Sequence, residues 1–171
     1  VEGAVGDWSA LYLFEDKGIV IQEAVMGVML FNGTMCIGRL LGNTIGKHVT
    51  SKQVVVGGYL LGAIAMALIV FLPGYASMYT YLLLGISLAM VVPNLFSAMG
   101  EQNVIPMTQA VATSTMLGYM GILMGPALIG FIAHGTSLTI AFIVLTALLV
   151  ISAGIGKYAY HLMSKDCGVE E

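Results

Sequence analysis

Residues 54–72 read VVVGGYLLGAIAMALIVFL, a run of 19 residues without a charge that is followed by Pro73 and Gly74. As an α-helix this run would rise about 28 Å, close to the roughly 30 Å hydrocarbon core of a bilayer. It is apolar on every face and therefore has no side suited to water. The run predicts a membrane-spanning helix, and the Pro-Gly pair predicts its end.

The rest of the chain has the same character. Charged residues make up only 9% of the 171 residues, and the mean hydropathy is +0.96. This is too little charge for the exterior of a soluble domain, whereas helices that face lipid explain the composition directly. The sequence therefore predicts an integral membrane protein with the lipid bilayer as its surroundings. A net charge of −3 without a basic stripe gives no case for a nucleic-acid partner.

Apolar windows of membrane length recur along the chain and predict an all-α, polytopic transmembrane bundle in a single domain, residues 1–171. The first segment would rise only about 21 Å, so it is interpreted as the second part of a helix whose start lies outside the sequence. A polar tail is predicted at 161–171. The predicted helices cover residues 1–14, 19–41, 54–72, 77–99, 110–133 and 138–160.

The basic residues predict how the helices are oriented, because Lys and Arg concentrate in cytoplasmic loops. One side of the predicted bundle carries only Lys17. The C-terminus belongs to the other side and should therefore be cytoplasmic. That side carries Arg39, Lys47, Lys52, Lys157 and Lys165.

Enzyme and metal chemistry find little support in the sequence. Cys36 and Cys167 form no metal-ligand pattern, and the three histidines are far apart in sequence. No phosphate-binding loop follows a strand, and no nucleophile motif is visible. We therefore expect no enzyme activity, no metal and no cofactor.

The first segment contains the strongest candidates for a site. Glu2 and Asp7 are carboxylates in an apolar stretch, and an intramembrane charge is a functional hypothesis by default. A buried carboxylate favours its protonated form, which suits proton coupling. The two lie roughly 140° apart around a helix, so they cannot face one cavity equally well. Pairing with a helix outside the sequence is the alternative. Trp8 and Tyr12 share a face suited to a sugar or to ordinary packing.

The fourth predicted helix carries a polar stripe at helical spacing, formed by Ser87, Asn94, Ser97 and Glu101. Pro93 should kink this helix and free a carbonyl near mid-depth. The stripe is the best candidate for a cavity lining, with Asn94 as a hydrogen-bond partner for a polar solute. An interhelical hydrogen bond is the alternative.

Other polar and small residues suggest gating and packing. Arg39 should lie near the cytoplasmic end of the second predicted helix, and we hypothesise a gating contact with Glu101. Two snorkelling side chains are the alternative. Tyr119 in the fifth predicted helix is placed to reach a cavity. Packing surfaces are predicted, as is usual for small residues in membrane helices, at Gly118, Gly121, Gly125 and Pro126.

Three stretches resemble the C-terminal half of a major facilitator superfamily transporter, and most closely its fucose-permease-like, sugar-transporter-like branch. Residues 2–13, EGAVGDWSALYL, resemble the seventh helix of that branch, which carries an E-G-x-x-x-D-W-S-A-L-Y pattern. Residues 38–43, GRLLGN, resemble the cytoplasmic loop between its helices eight and nine. Residues 117–131, LGYMGILMGPALIGF, resemble its helix eleven. In the loop, Asn43 replaces an acidic residue, and a charge-based gate there would be weakened.

The resemblance implies a six-helix half with a truncated first helix, in the bacterial inner membrane. It implies alternating access by rocking against a missing N-terminal six-helix half, with the site between the halves. The implied substrate is a small polar solute such as a sugar, with protons as the coupling ion. Two alternatives stay open: a half-size transporter that works as a homodimer, and a non-transporting membrane subunit or remnant.

Overall fold

The computed structural model describes residues 1–45, 49–101 and 105–166, and in these ranges every side chain except those of residues 43–45, 101 and 164–166. All regular structure in the described ranges is helical. The helices are α1 (Glu2–Glu15), α2 (Ile21–Ile45), α3 (Ser51–Phe71), α4 (Gly74–Ala89), α5 (Val91–Glu101), α6 (Met107–Gly135) and α7 (Leu138–Asp166).

Five helical segments are long and apolar enough to cross a membrane, by length and composition. They correspond to α2, α3, the pair α4 and α5 taken together, α6 and α7. The remaining helix, α1, has 14 residues and is shorter than a span. The all-helical membrane bundle predicted from the sequence is therefore confirmed.

The fourth predicted helix is divided in two at Met90. Pro93 has no N–H to donate to the carbonyl of Ala89, where α4 ends. Asn94 strengthens the start of the next helix, because its backbone N–H and its side-chain Nδ2 both donate to the Met90 carbonyl, at 3.2 and 2.8 Å. The predicted kink near Pro93 is thus present as a break between α4 and α5.

Two helices extend at least four residues beyond their predicted ends. The stretch Gly38–Gly42, predicted to lead into a cytoplasmic loop, lies inside α2, which continues to Ile45. Both glycines of this stretch lie against the end of α4, since a Cβ at Gly38 would lie 2.5 Å from the Cβ of Ala89, and one at Gly42 would meet the Met90 side chain. α7 continues to Asp166 because the sequence holds no Gly or Pro between residues 157 and 166. Part of the predicted tail is therefore helical.

The core lies between α1, α2, α3, α4 and α7. α2 and α4 approach so closely at Gly85 that a Cβ there would contact the Thr34 hydroxyl and the backbone carbonyl of Phe31. α3 meets α4 at Gly58 in the same way, with a Cβ position 2.7 Å from the Ser87 carbonyl oxygen. Glycines at both crossings let the backbones pack closely.

Polar contacts join the helices at the end of the bundle that contains Lys17, here named the Lys17 end. Lys17 Nζ donates to the Val70 carbonyl at 2.6 Å, near the end of α3. The Tyr75 hydroxyl donates to the Glu23 carboxylate, which links α4 to α2. The opposite end, named the Arg39 end, holds the N-terminus of α3 with the capping box of Thr50 and Gln53.

α6 is the least embedded helix of the bundle. Along its 29 residues only Ala110 and Ile129 are buried. Its polar attachment to α1 is the hydrogen bond from Trp8 Nε1 to the Pro126 carbonyl, at 3.0 Å. α6 therefore depends on α1 and α7 for its position and leaves most of its surface to surroundings outside the described chain.

Candidate functional site

One cavity, the Glu2 cavity, lies toward the Arg39 end and has a volume of about 440 Å³. Every helix of the bundle contributes to its wall, including the segment α5 that begins after the break at Met90. Most of the lining is apolar. The polar side chains that line it are Glu2, Arg39, Tyr59 and Ser152.

Glu2 and Arg39 form an ion pair across this cavity. The Arg39 guanidinium Nη2 lies 3.7 Å from the Glu2 carboxylate Oε2, and the side chains are 48% and 40% exposed. Such exposed pairs contribute little stability, typically about 0–1 kcal/mol in water. The contact instead places opposite charges from α1 and α2 at the wall of a space large enough for a small molecule.

The predicted partner of Arg39 was Glu101, whose side chain lies outside the described residues, so that contact stays a prediction. No local sequence signal points to Glu2 instead, because Glu2 and Arg39 belong to different helices. A charge balance within the apolar segments would have suggested the pairing, since an intramembrane arginine needs a carboxylate or water.

Asp7 and Glu2 point to different surroundings, as their angular separation predicted. Glu2 lines the Glu2 cavity, whereas Asp7 is exposed on the surface of the described chain. Asp7 has neither an ion pair nor a hydrogen bond with the described residues. A carboxylate in that state within an apolar segment requires water or a polar partner, and its side faces a space that the described residues do not fill.

Trp8 and Tyr12 serve different contacts. The Trp8 indole reaches α6, where a Cβ on Gly130 would lie 2.8 Å from its Cζ2 atom. Tyr12 is fully buried and stacks on Phe142 of α7, with ring centroids 4.2 Å apart and planes at 16°. Packing accounts for Tyr12 in this structure, and its predicted contact with a solute stays untested.

A second cavity, the Trp8 cavity, lies at the Lys17 end between α1, α6 and the start of α7, with a volume of about 420 Å³. Sequence reasoning missed it, because its lining combines two stretches that are far apart in sequence, residues 8–16 and 130–138. The polar and aromatic residues in its wall are Trp8, Glu15, Asp16, His134 and Ser137.

The other predicted site residues are distributed over the surface. Asn94 is half-buried with its Nδ2 bonded to Met90, and the exposed Ser97 donates to the Pro93 carbonyl at 3.1 Å. Tyr119 is 65% exposed. None of the three lines either cavity, so their contact with a solute stays a prediction. The side chain of Asn43 lies outside the described residues.

The predicted packing role of the α6 glycines finds no partner in the described chain. A Cβ on Gly118, Gly121 or Gly125 would meet no atom within 4 Å. Gly118 and Gly121 instead line the Glu2 cavity. The glycine of α6 that contacts a side chain is Gly130, which was not among the predicted packing residues and lies against Trp8. Pro126, which was among them, provides the carbonyl that accepts the Trp8 hydrogen bond. Packing at the other three requires a surface outside the described residues.

Comparison with known proteins connects the chain to transporters. Over 142 residues, 82% of the chain, it is 41% identical to an uncharacterised MFS-type transporter of Yersinia pestis. Over 89% of the chain it is 29% identical to the membrane protein MosC of Rhizobium meliloti, and over 84% it is 28% identical to an uncharacterised transporter of Sinorhizobium fredii. The chain spans 37% to 38% of the lengths of these relatives. No protein-family model matches the chain, and no solved structure does.

The chain is thus a homologue of part of an MFS-type transporter, where MFS denotes the major facilitator superfamily. The five candidate spans agree with part of such a fold. Proteins of this superfamily are not enzymes, so the expectation that the chain is not an enzyme is confirmed by the homology. The closer resemblance to the sugar-transporter-like branch is not tested by these relatives.

Proposed function

We propose that this chain is part of a major facilitator superfamily transporter that moves a small polar solute across a bacterial inner membrane. The observation that carries the proposal is the 41% identity to an MFS-type transporter over 82% of the chain. Alternating access, with the chain rocking against a second set of helices, is the mechanism that this superfamily uses. The resemblance of residues 2–13 to a sugar-transporter-like branch supports a sugar-like solute.

Two carboxylates support a role in solute or proton handling. Asp7 is exposed from α1 without a partner among the described residues, which suits a group that faces the solute path beside a second half. Glu2 is balanced by Arg39 at 3.7 Å. Protonation of Glu2 would leave Arg39 without its counter-charge, so the pair provides a link between proton binding and the arrangement of α1 and α2.

The first test is uptake of a labelled sugar panel by the full-length protein in proteoliposomes, with and without an inward proton gradient. Uptake that the gradient stimulates supports both the transport and the coupling. Asp7→Asn should lower gradient-driven uptake at least about tenfold, an effect near 1.4 kcal/mol. Glu23→Gln is the control, because Glu23 lies outside both cavities and glutamine keeps an acceptor for the Tyr75 hydroxyl.

The possible results separate the parts of the proposal. Uptake that is the same with and without the gradient would refute the proton coupling but not the transport. No uptake of any sugar, with a folded protein, would refute the sugar-like substrate. Exchange of labelled solute without a gradient would then be measured with amino acids and other small polar solutes, and failure there would count against transport itself.

A further inference from the structure

The Trp8 cavity is graded in polarity from its mouth to its interior. Glu15 and Asp16 line it at the end of α1 and are exposed. Trp8, also in the lining, is half-buried and lies about 10 Å further along the helix axis. The cavity volume of about 420 Å³ falls in the range of small-molecule sites.

The charge of the carboxylates at the mouth is offset only in part, by the neighbouring Lys17. Neither Glu15 nor Asp16 forms an ion pair with a described residue, and Asp16 accepts only a long contact of 3.4 Å from the Thr139 hydroxyl. The adjacent cation, Lys17, directs its ammonium to the Val70 carbonyl at 2.6 Å and does not line the cavity. Two carboxylates at a concave mouth produce a negative potential that attracts cations.

The aromatic part of the cavity is held in place. Two contacts with α6 restrict the indole. Trp8 Nε1 donates to the Pro126 carbonyl, and the ring packs closely against Gly130. A tryptophan face attracts cations through its quadrupole, more strongly than the face of any other side chain. A ring that is already restricted loses little entropy when a ligand packs on it.

The chemistry of the lining distinguishes between cations. Among the described residues there is no group of three or more His, Cys, Asp or Glu side chains that is arranged to hold a metal ion. Beside Gly130 and the polar and aromatic residues named above, the lining consists of the apolar side chains Leu11, Ala133 and Leu138. An organic cation with an apolar body satisfies the carboxylates, the indole and the apolar wall together, whereas a hydrated metal ion satisfies only the carboxylates.

We propose that the Trp8 cavity is a binding site for a small organic cation of the quaternary-ammonium type. The charged head lies between the Glu15 and Asp16 carboxylates and the Trp8 indole, with its methyl groups toward the ring. His134 and Ser137 in the wall are available to bind a hydroxyl group of the ligand. The site is separate from the Glu2 cavity and does not depend on the transport proposed above, because binding there is measurable at equilibrium.

The test uses two probes of the same shape, choline and its uncharged analogue 3,3-dimethyl-1-butanol. Titration calorimetry on the full-length protein in a non-ionic detergent measures the dissociation constant of each. Choline should bind at least about tenfold more tightly than the uncharged analogue. Equal binding of the two probes, or no choline binding at millimolar concentration, would overturn the proposal.

Variants locate the binding. Glu15→Gln and Asp16→Asn should each weaken choline binding several-fold and leave binding of the uncharged analogue unchanged. Glu23→Gln, a carboxylate at the same end but outside the cavity, should change neither. Trp8→Leu should weaken choline more than tenfold. That change removes both the aromatic ring and the bond to α6. Trp8→Phe also removes the bond but keeps an aromatic ring, so it should retain part of the affinity. Choline affinity that is unaffected by both carboxylate changes would refute the site.

Discussion

At the scale of single residues, the missing side chain of Gly130 is what allows Trp8 to reach α6. In Gly130→Ala the new Cβ would lie 2.8 Å from Trp8 Cζ2 and 3.3 Å from Cη2. The indole cannot retreat without losing its bond to the Pro126 carbonyl. We expect a loss of about 1–3 kcal/mol of stability, the usual cost of overpacking, measured as thermal unfolding of the full-length protein in detergent.

The control is Gly154→Ala on α7, where a Cβ would meet nothing within 4 Å and no packing surface is predicted. Alanine is favoured over glycine in a helix by up to about 1 kcal/mol, so this variant should be neutral or more stable. If both variants unfold at the same temperature, the contact of Trp8 with Gly130 does not contribute to the stability of the protein.

Lys17 caps the C-terminal end of α3. Its ammonium donates to the Val70 carbonyl, one of the last carbonyls of a helix that carries partial negative charge at this end. Burial lowers the pKa of Lys17, and neighbouring Asp16 offsets part of that effect. Burial therefore cancels some of the gain from the bond, and Lys17→Met should lower stability by only about 1 kcal/mol. Lys52→Met, an exposed lysine at the other end of α3, should have no measurable effect in the same unfolding assay.

Individual contacts were the least predictable part of the candidate site. Glu2 was identified from its charge in an apolar segment, but its partner Arg39 belongs to a different helix and no spacing rule connects them. The same holds for Trp8, whose two contacts on α6 depend on the angle between α1 and α6. Periodicity indicates which face a residue occupies, and only the packing of helices decides what that face meets.

At the scale of helices, the crossing of α2 and α4 requires Gly85. A Cβ there would contact the Phe31 carbonyl, which belongs to the backbone and cannot rotate away. Gly85→Ala must therefore separate the two helices and should destabilise the full-length protein by about 3 kcal/mol or more. Gly57→Ala on α3, where the Cβ position is open, serves as the control. Unfolding temperatures that match the unaltered protein in both variants would show that α2 and α4 are not tightly packed.

Helix existence was predictable from the sequence, whereas helix ends were predictable only in part: α7 begins at Leu138 as predicted, and α3 ends one residue before the predicted end. Each apolar window of membrane length corresponds to a candidate span, because the bilayer leaves few alternatives for the backbone. The break at Met90 was partly predictable from Pro93, which removes the hydrogen bond to the residue four positions before it. The extension of α2 to Ile45 was not, because it accompanies the contacts of Gly38 and Gly42 with the end of α4.

At the scale of the whole molecule, the two ends of the bundle differ in charge and in the cavities they hold. The Glu2 cavity contains a balanced ion pair, and the Trp8 cavity contains two carboxylates without an ion-pair partner among the described residues. Composition alone indicated a membrane protein, but neither cavity was predictable, since each combines distant parts of the chain. The predicted solute path lies between two halves of a transporter, and this chain provides only part of the surface that would line it.

The distribution of Lys and Arg predicts that the Lys17 end faces outward and the Arg39 end faces the cytoplasm. Single cysteines test this in the full-length protein, in a background with its native cysteines replaced. Gly135→Cys lies at the Lys17 end, where a side chain meets open space, and Val49→Cys lies at the Arg39 end and is exposed. A membrane-impermeant maleimide should label position 135 in intact cells and position 49 only after the membrane is opened. The reverse pattern would invert the bundle and place the two carboxylates of the Trp8 cavity in the cytoplasm, where the cavity would meet intracellular rather than external cations.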